Sequence, residues 1–105
     1  MRRIASVIGL RPEHAAEYER IHADVWPDVL AQIARSNIRN YSIYRHDDLL
    51  FAYFEYVGGD LQADMDAMAA DPRTQAWWAV TSPLQVPIGD DPSGWRELPE
   101  VFHTD

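Results

Sequence analysis

The chain alternates between stretches with the two-residue period of β-strands and stretches with the longer period of α-helices. The run from Ile4 to Leu10 is apolar and rich in branched residues, which predicts a strand. Pro12 stands where the first turn of a helix tolerates proline, and the Ala-, Glu-, Ile- and Leu-rich sequence after it predicts a helix to about Arg35. Because proline disfavours helical geometry at the residue before it, we expect a bend at Trp26-Pro27.

Two more apolar runs follow, Ile38 to Tyr44 and Leu49 to Val57, both rich in aromatic and β-branched residues. The polar sequence between them, residues 45–48, is typical of the turn of a β-hairpin. Gly58-Gly59 then ends the second of these two runs, because glycine is a poor strand former.

The last part of the chain predicts a second helical region, a loop and a short strand. Asp60 can cap one helix, and Asp71-Pro72 can cap and open the next. The segment from Pro83 to Gly94 is rich in proline and glycine, so we expect a long irregular loop there. Glu97 to His103 predicts a short closing strand.

The resulting order, β-α-β-β-α-β, predicts a ferredoxin-like α+β fold in which both helical regions cover one face of an antiparallel sheet. A chain of 105 residues is long enough for one hydrophobic core and too short for two, so we expect a single domain spanning residues 1–105.

The predicted sheet is apolar on both faces. In the third strand, alternation divides the side chains into two sets: Leu49, Phe51 and Tyr53 on one face, and Leu50, Ala52, Phe54 and Tyr56 on the other. In the second strand, the same rule sets Ile38 and Tyr44 opposite Tyr41 and Ile43. Since helices cover only one face, we expect a second copy to cover the other, giving a homodimeric α+β barrel with the two sheets packed face to face.

The composition excludes several classes of function. The formal net charge is -8, with 17 acidic against 9 basic residues, so nucleic acid is a poor partner for this chain. Without cysteine, there is no thiolate nucleophile, disulfide or Cys-ligated metal site. Without lysine, there is no Schiff-base chemistry, no pyridoxal phosphate attachment and no P-loop.

Two arginines precede the first apolar stretch, as in some leader peptides, but Arg11 and Pro12 end that stretch and no small-residue cleavage site follows. No later segment is apolar over the length that a bilayer requires. We therefore expect no membrane partner and a cytoplasmic location.

His22 is the best single candidate for chemistry, because an imidazole can both donate and accept a proton near neutral pH. In the sequence EYERIHADVWPDV, Tyr18, His22 and Trp26 are spaced four apart, which predicts one ridge along a helix. A lone histidine on such a helix is more often a surface or core residue, and aromatic residues at helical spacing are usually core. The spacing alone leaves both interpretations open.

Trp77 and Trp78 are adjacent, so their side chains point about 100° apart on a helix and one of them must face away from the main core. An exposed indole is a platform for the apolar face of a sugar or another flat ring, and it is equally suited to packing on a partner or a loop. On the second strand, Asn40 and Tyr41 face opposite sides, so only one of them can approach His22.

The other histidines are weaker candidates. His14 falls in the first helical turn, His46 in the hairpin turn and His103 near the C-terminus. No pair of histidines has the spacing of metal ligands, so we do not expect a metal site.

Taken together, EYERIHADVWPDV at residues 17–29, NYSIY at 40–44, LLF at 49–51, the tryptophan pair at 77–78 and EVF at 100–102 resemble the L-rhamnose mutarotase family. The resemblance runs from the first strand to the last. It differs from the family pattern at Asp28, where glutamate is frequent, and in the composition of the hairpin turn and of the Pro83 to Gly94 loop.

The resemblance implies a dimeric ferredoxin-like isomerase that interconverts the α and β anomers of a free deoxyhexose without metal or organic cofactor. It implies that His22 is the proton donor. Tyr18, Tyr41, Trp77 and Trp78 would then be the sugar-binding residues. Mutarotation opens and recloses a hemiacetal and needs only an acid and a base, which agrees with a chain that has no lysine, cysteine or metal ligands.

Two other functions compete with this one. Small monooxygenases that act without a metal of their own, or that degrade haem, share the dimeric barrel and use Asn, Trp and His in an apolar pocket, for which Asn40, Trp77 and His22 are candidates. A phenol beside the histidine favours recognition of a hydroxyl group instead. The third possibility is a non-catalytic dimerisation or ligand-sensing module, in which replacing His22 would change stability alone.

Overall fold

A computed structural model describes residues 1–105. The strands are β1 (Arg2–Leu10), β2 (Ile38–His46), β3 (Leu49–Tyr56), β4 (Gln85–Val86) and β5 (Arg96–Glu97). The α-helices are α1 (Ala15–His22), α2 (Pro27–Arg35), α3 (Leu61–Ala70) and α4 (Pro72–Thr81), with short 3-10 turns at Pro12–His14 and Ser82–Leu84. The predicted order of strands and helical regions is confirmed.

The antiparallel sheet has the order β2-β3-β1-β4, and β5 pairs with β1 beside β4. Facing pairs from β1 and β3 divide cleanly between the two sides of the sheet. Ile4 with Phe54 and Ile8 with Leu50 lie on the face that contains the core, whereas Val7 with Phe51 lies on the other face. Tyr18 of α1 packs with Ile8, Leu10, Leu50 and Leu84 in the main hydrophobic cluster, so the helices cover the first of these faces.

Each helical region is interrupted where the sequence predicts it. Trp26 has the extended backbone of a residue before proline (φ -58°, ψ 133°), which separates α1 from α2. Asp60 accepts a hydrogen bond from the backbone N–H of Ala63 at the start of α3, and Asp71 accepts one from Thr74 at the start of α4. Both aspartates satisfy N–H groups that a helix start leaves without partners.

Strand β2 departs from strict alternation. Arg39 faces Glu55 and Ser42 faces Tyr53, so two residues of β2 oppose the single residue Phe54. Asn40 supplies the extra residue with a left-handed backbone (φ 50°), a conformation that asparagine tolerates better than most residues.

Because of this bulge, the faces predicted for the side chains of β2 are wrong. Ile38 is opposite Tyr56 and Ile43 is opposite Ala52, both on the core face, whereas Tyr44 is opposite Phe51 on the other face. Ile38 and Tyr44 therefore do not share a face. Tyr41 lies with Ile38 on the core side, because the bulge shifts the alternation by one residue.

The C-terminal prediction is wrong in its extent. Only Arg96–Glu97 forms a strand, and none of the later residues belongs to one. The N–H of Leu98 still donates to the carbonyl of Ala5 (2.8 Å), but the next residue is Pro99, which has no N–H to donate. Arg3 instead holds the segment through its ion pair with Glu100 (2.9 Å).

The segment from Pro83 to Gly94, predicted to be an irregular loop, contains a short strand. Gln85–Val86 forms β4 and pairs with Gly9–Leu10 at the end of β1. Gly94 adopts a left-handed backbone (φ 82°) and its carbonyl accepts hydrogen bonds from Ile88 and Gly89, which closes the remaining loop on itself. The fourth strand position of the sheet is therefore filled by two short segments.

The uncovered face of the sheet carries aromatic residues, as the sequence predicts. Tyr44 is 67% exposed, and Phe51 and Tyr53 beside it are partly exposed. Further along, Arg39 and Arg3 both face Glu55, so this end of the surface is charged. None of the helices has the length and the apolar character that crossing a membrane would require.

Candidate active site

Tyr18 and His22 are one helical turn apart on α1, and their rings are stacked. The ring centroids are 4.0 Å apart and the planes differ by 24°. Tyr18 is only 4% exposed and belongs to the main core, whereas His22 is half-buried. The stack therefore holds the imidazole against the core while part of its edge stays accessible.

The hydrogen bond of His22 fixes which ring nitrogen carries the proton. Nδ1 lies 2.8 Å from the backbone carbonyl oxygen of Tyr18. A carbonyl oxygen can only accept, so Nδ1 must donate, and the neutral ring has its lone pair on Nε2. The neutral imidazole thus offers an acceptor at Nε2, and the cation offers a donor at the same atom.

The surroundings of His22 favour the neutral form. Burial lowers the pKa of the imidazole from its ordinary value of 6.5, and the hydrogen bond to the Tyr18 carbonyl opposes this only in part. Desolvation penalises the charged ring because burial removes the water that would stabilise the charge. At neutral pH the ring is therefore mainly uncharged.

Trp77 connects His22 with Trp26. Its ring meets His22 edge-on, with centroids 5.3 Å apart, and Trp26 edge-on, with centroids 5.1 Å apart. The predicted ridge of Tyr18, His22 and Trp26 is therefore wrong at its last member, because α1 ends at His22 and Trp26 lies beyond the helix. The guanidinium of Arg73 covers the Trp26 ring at 4.5 Å.

Two phenols lie close to this aromatic group. Burial raises the pKa of Tyr18 to about 12, the side chain of Gln85 opposes this by hydrogen bonding, and the neighbouring Tyr41 raises it further. Burial also raises the pKa of the Tyr41 phenol, although 42% of the Tyr41 surface is exposed. Both phenols consequently keep their protons at neutral pH and can donate them.

The bulge at Asn40 decides which residue of β2 belongs to the site. Tyr41 packs against Phe54 on the helix-covered face, whereas Asn40 donates to Glu55 on the other face (2.7 Å). Of the two neighbours in sequence, Tyr41 is therefore the one on the side of His22. Asn40 therefore does not lie on the side of His22, where the monooxygenase alternative requires it.

The two adjacent tryptophans have different environments, as their spacing predicts. Trp77 is 7% exposed and packs against His22, whereas Trp78 is 40% exposed. A surface hollow of about 220 Å³ lies beside Trp77, between α1 and α4, and is lined by Arg20, Ile21, Asp24, Trp26, Trp77 and Val80. Of the predicted site residues, Trp77 alone lines this hollow.

Gln85 also belongs to this group, although the sequence pattern does not reveal it. It is buried, lies on the two-residue strand β4, and its side chain lowers the pKa of the Tyr18 phenol. A two-residue strand inside a proline-rich segment has no periodicity by which it could have been found. The only available signal was a glutamine between the apolar residues Leu84 and Val86.

The other histidines do not approach this group. His14 pairs with Glu17, His46 with Asp47 and His103 with Asp105, in each case near the surface. Of the four histidines, only His22 contacts another aromatic side chain.

Comparison with known proteins places these residues in a family. Residues 3–104 match the model of the family described as rhaM, L-rhamnose mutarotase. The L-rhamnose mutarotase of Oceanobacillus iheyensis is 30% identical, with all of both chains covered, and that of Phocaeicola vulgatus is 34% identical with the same coverage.

Solved structures support the fold. The crystal structure of the L-rhamnose mutarotase FA22100 from Formosa agariphila has a TM-score of 0.81 and 20% identity, with all of both chains covered. Tetracenomycin F2 cyclase from Streptomyces glaucescens, a type-II polyketide cyclase, has a TM-score of 0.67 and 20% identity over 99% of this chain and 96% of its own. At these identities the likeness shows the fold alone. On the strength of the match to the family model across residues 3–104, this chain belongs to the L-rhamnose mutarotase family.

Proposed function

We propose that this protein is an L-rhamnose mutarotase that interconverts the α and β anomers of the free sugar by general acid and base catalysis. The observation that carries the proposal is the fixed imidazole of His22, with Nε2 free, stacked on the phenol of Tyr18. Family membership supplies the substrate class, because the relatives named above carry the name L-rhamnose mutarotase.

The proposed reaction matches the groups that the site contains. Ring opening requires that the anomeric hydroxyl lose its proton and that the ring oxygen gain one. Reclosure on the other face of the carbonyl reverses both transfers. An imidazole and a phenol can perform both transfers, and the chemistry calls for no cofactor.

We assign the catalytic role to His22 and substrate binding to Tyr18, Tyr41, Trp77 and Trp78. Tyr18 supports this assignment because its ring stacks on His22, and Tyr41 supports it because it lies on the same side of the sheet; both phenols are protonated and can hydrogen-bond sugar hydroxyls. The exposed indole of Trp78 is suited to stacking on the apolar face of a pyranose. Trp77 touches His22 directly and would fix the position of the imidazole relative to the sugar.

A homodimer is part of the proposal. The uncovered sheet face presents Tyr44, Phe51 and Tyr53 together, and an exposed apolar patch of this kind marks a surface for protein–protein contact. A second copy would bury the same face by symmetry, giving the α+β barrel. The cytoplasmic location expected from the sequence remains a prediction that cell fractionation would test.

Exchange NMR on equilibrated L-rhamnose tests the activity. We expect the rate of exchange between the anomers to increase with protein concentration. The same measurement on other deoxyhexoses gives the specificity. His22→Ala should remove the acceleration, whereas the control His46→Ala, which changes an exposed histidine of the hairpin, should keep it. Absence of acceleration with every sugar tested would refute the proposed function.

The monooxygenase alternative is not favoured by the family match. It predicts haem or a large flat substrate in the pocket, so titration with haem should shift the Soret absorption. We expect no shift.

A further inference from the structure

The guanidinium of Arg73 lies over the indole of Trp26, outside the set of residues that the proposed reaction uses. We infer that Arg73 is a positioning residue for the mutarotation, which acts through Trp26 and Trp77 to fix where the imidazole of His22 lies. The inference rests on the proposed function, because it concerns the same imidazole, and it assigns no new acid or base.

Two side chains of α4 contact the Trp26 ring. Arg73 and Trp77 are four residues apart on this helix, so they lie on the same face, about one turn from each other. The guanidinium carbon of Arg73 is 4.5 Å from the centroid of the Trp26 ring, and the Trp77 ring meets the same indole edge-on at 5.1 Å. A cation over the face of an indole is attracted by the ring. Trp26 is therefore held at two points of one helix.

Asp28, in the first turn of α2, fixes the direction of the Arg73 side chain. Its carboxylate oxygen lies 3.5 Å from Nε of Arg73, and both side chains are more than half exposed. An exposed ion pair of this kind adds little to stability. Its effect is geometric, because a guanidinium can pair with a carboxylate at its edge while its flat face stays on an aromatic ring.

The position of His22 relative to α4 depends on these contacts. The ring stack and the Nδ1 hydrogen bond of His22 are both made with Tyr18, on the same helix, so they cannot fix the imidazole relative to another element. Trp77, at 5.3 Å between ring centroids, is the aromatic contact that His22 makes with a different helix. The ring of Trp77 is in turn packed against Trp26.

The Trp26 ring needs Arg73 because other packing encloses it only in part. His22 is the last residue of α1, and the connection that follows it contains no helix or strand until α2 begins at Pro27. Trp26 ends this connection, is half-buried and lines the hollow beside Trp77. Without the guanidinium, the indole is free to move toward the hollow, and Trp77 then loses the contact that fixes its own ring.

A displaced imidazole slows the chemical step more than it weakens sugar binding. Proton transfer requires the two heavy atoms to be within hydrogen-bond reach, about 3 Å, so a small error in position lowers the rate steeply. Tyr41 and Trp78, which are assigned to sugar binding, lie outside this series of ring contacts. Loss of Arg73 should therefore lower kcat and leave KM nearly unchanged.

Arg73→Ala, Arg73→Lys and the control Arg2→Ala test the inference by exchange NMR on L-rhamnose. Arg2 forms a similarly exposed ion pair with Glu97 (3.6 Å), but no aromatic ring lies under its guanidinium. We expect Arg73→Ala to lower kcat by about five- to tenfold with KM within about twofold of the original. Arg73→Lys keeps a cation that can cover the ring and pair with Asp28, so it should retain most of kcat. Arg2→Ala should keep both constants.

The ring-proton shifts of His22 give a second readout that does not depend on activity. The neighbouring rings of Tyr18 and Trp77 displace these shifts by their ring currents. We expect the shifts to change in Arg73→Ala, to lie close to the original values in Arg73→Lys and to be unchanged in Arg2→Ala. Urea denaturation of each variant shows that the fold is retained, as expected for exposed side chains.

A double-mutant cycle tests whether Arg73 acts through Trp26. Trp26→Leu should itself lower kcat, and Arg73→Ala added to it should have little further effect, because the ring that Arg73 covers is already absent. Additive losses in the cycle, or an unchanged kcat or unchanged His22 shifts in Arg73→Ala, would overturn the inference. If the original protein does not exchange the anomers, the proposed function fails, and the His22 shifts still decide whether Arg73 positions the imidazole.

Discussion

Tyr41 packs against Phe54 with ring centroids 5.6 Å apart, on the face of the sheet that the helices cover. This contact exists only because Asn40 forms a bulge in β2. Without the extra residue, Tyr41 would lie on the opposite face, away from His22. One left-handed residue in a strand therefore decides whether a predicted sugar-binding phenol reaches the site.

Replacing Asn40 tests this relationship. Both Asn40→Ala and Asn40→Gly lose the hydrogen bond to Glu55, but only glycine adopts the left-handed backbone without strain. We expect Asn40→Ala to be less stable than Asn40→Gly by about 1 kcal/mol, measured by urea denaturation.

We also expect Asn40→Ala to raise the KM for the sugar more than Asn40→Gly does, because the strain acts on the position of Tyr41. Equal stability and equal KM in the two variants would show that the bulge does not depend on the left-handed residue.

Trp78 and Trp77 should respond to substitution in different ways. Trp77 is buried against His22 and Trp26, so Trp77→Ala should cost about 3–5 kcal/mol and risk unfolding the protein. Trp78 is 40% exposed, so Trp78→Ala should remain folded and raise KM by about tenfold, which corresponds to about 1.4 kcal/mol of lost sugar binding.

Gln75→Ala is the control for Trp78→Ala, since Gln75 is exposed on the same helix and does not line the hollow beside Trp77. Thermal denaturation and KM are measured for both. An unchanged KM in Trp78→Ala would remove Trp78 from the sugar-binding set.

Much of this fold could be predicted because its signals are local. The hairpin between β2 and β3, the bend at Trp26-Pro27 and the caps Asp60 and Asp71 each depend on a few neighbouring residues with a known preference. The adjacency of Trp77 and Trp78 was also sufficient to predict that one would be buried and one exposed.

The remainder depends on contacts that the sequence pattern does not display. The strands β4 and β5 are two residues each and form only because the edge of β1 accepts them. The position of Tyr41 depends on a single backbone angle at Asn40. Likewise, Gln85 meets Tyr18 only after β4 has paired with Leu10, a contact between residues distant in the chain.

The uncovered sheet face predicts the oligomeric state. Tyr44 is 67% exposed in the single chain, and Tyr44→Glu would place a charge in the middle of the proposed dimer interface. We expect sedimentation to show a dimer for the original protein and a monomer for Tyr44→Glu. Leu30→Glu, at a position on α2 that is 52% exposed, is the control and should remain dimeric. A monomer in all three proteins would refute the proposed barrel.

His22 should also couple stability to pH. Burial lowers the pKa of the folded-state imidazole below its ordinary value of 6.5, so at pH values between the two the unfolded chain binds more protons than the folded protein. The free energy of unfolding must then increase with pH across that window. The contribution is fully present above about pH 6.5 and is lost as the pH falls through the lowered folded-state pKa.

His22→Gln isolates this contribution, because glutamine can still donate a hydrogen bond and does not titrate. Urea denaturation of both proteins is compared from about pH 8 to about pH 5, which spans the ordinary pKa of histidine. We expect the stability of the original protein, relative to the variant, to be constant at the alkaline end and to decrease toward the acidic end. A relative stability that increases on acidification would mean that the folded protein favours the imidazolium, and burial would then not be the dominant effect on the His22 pKa.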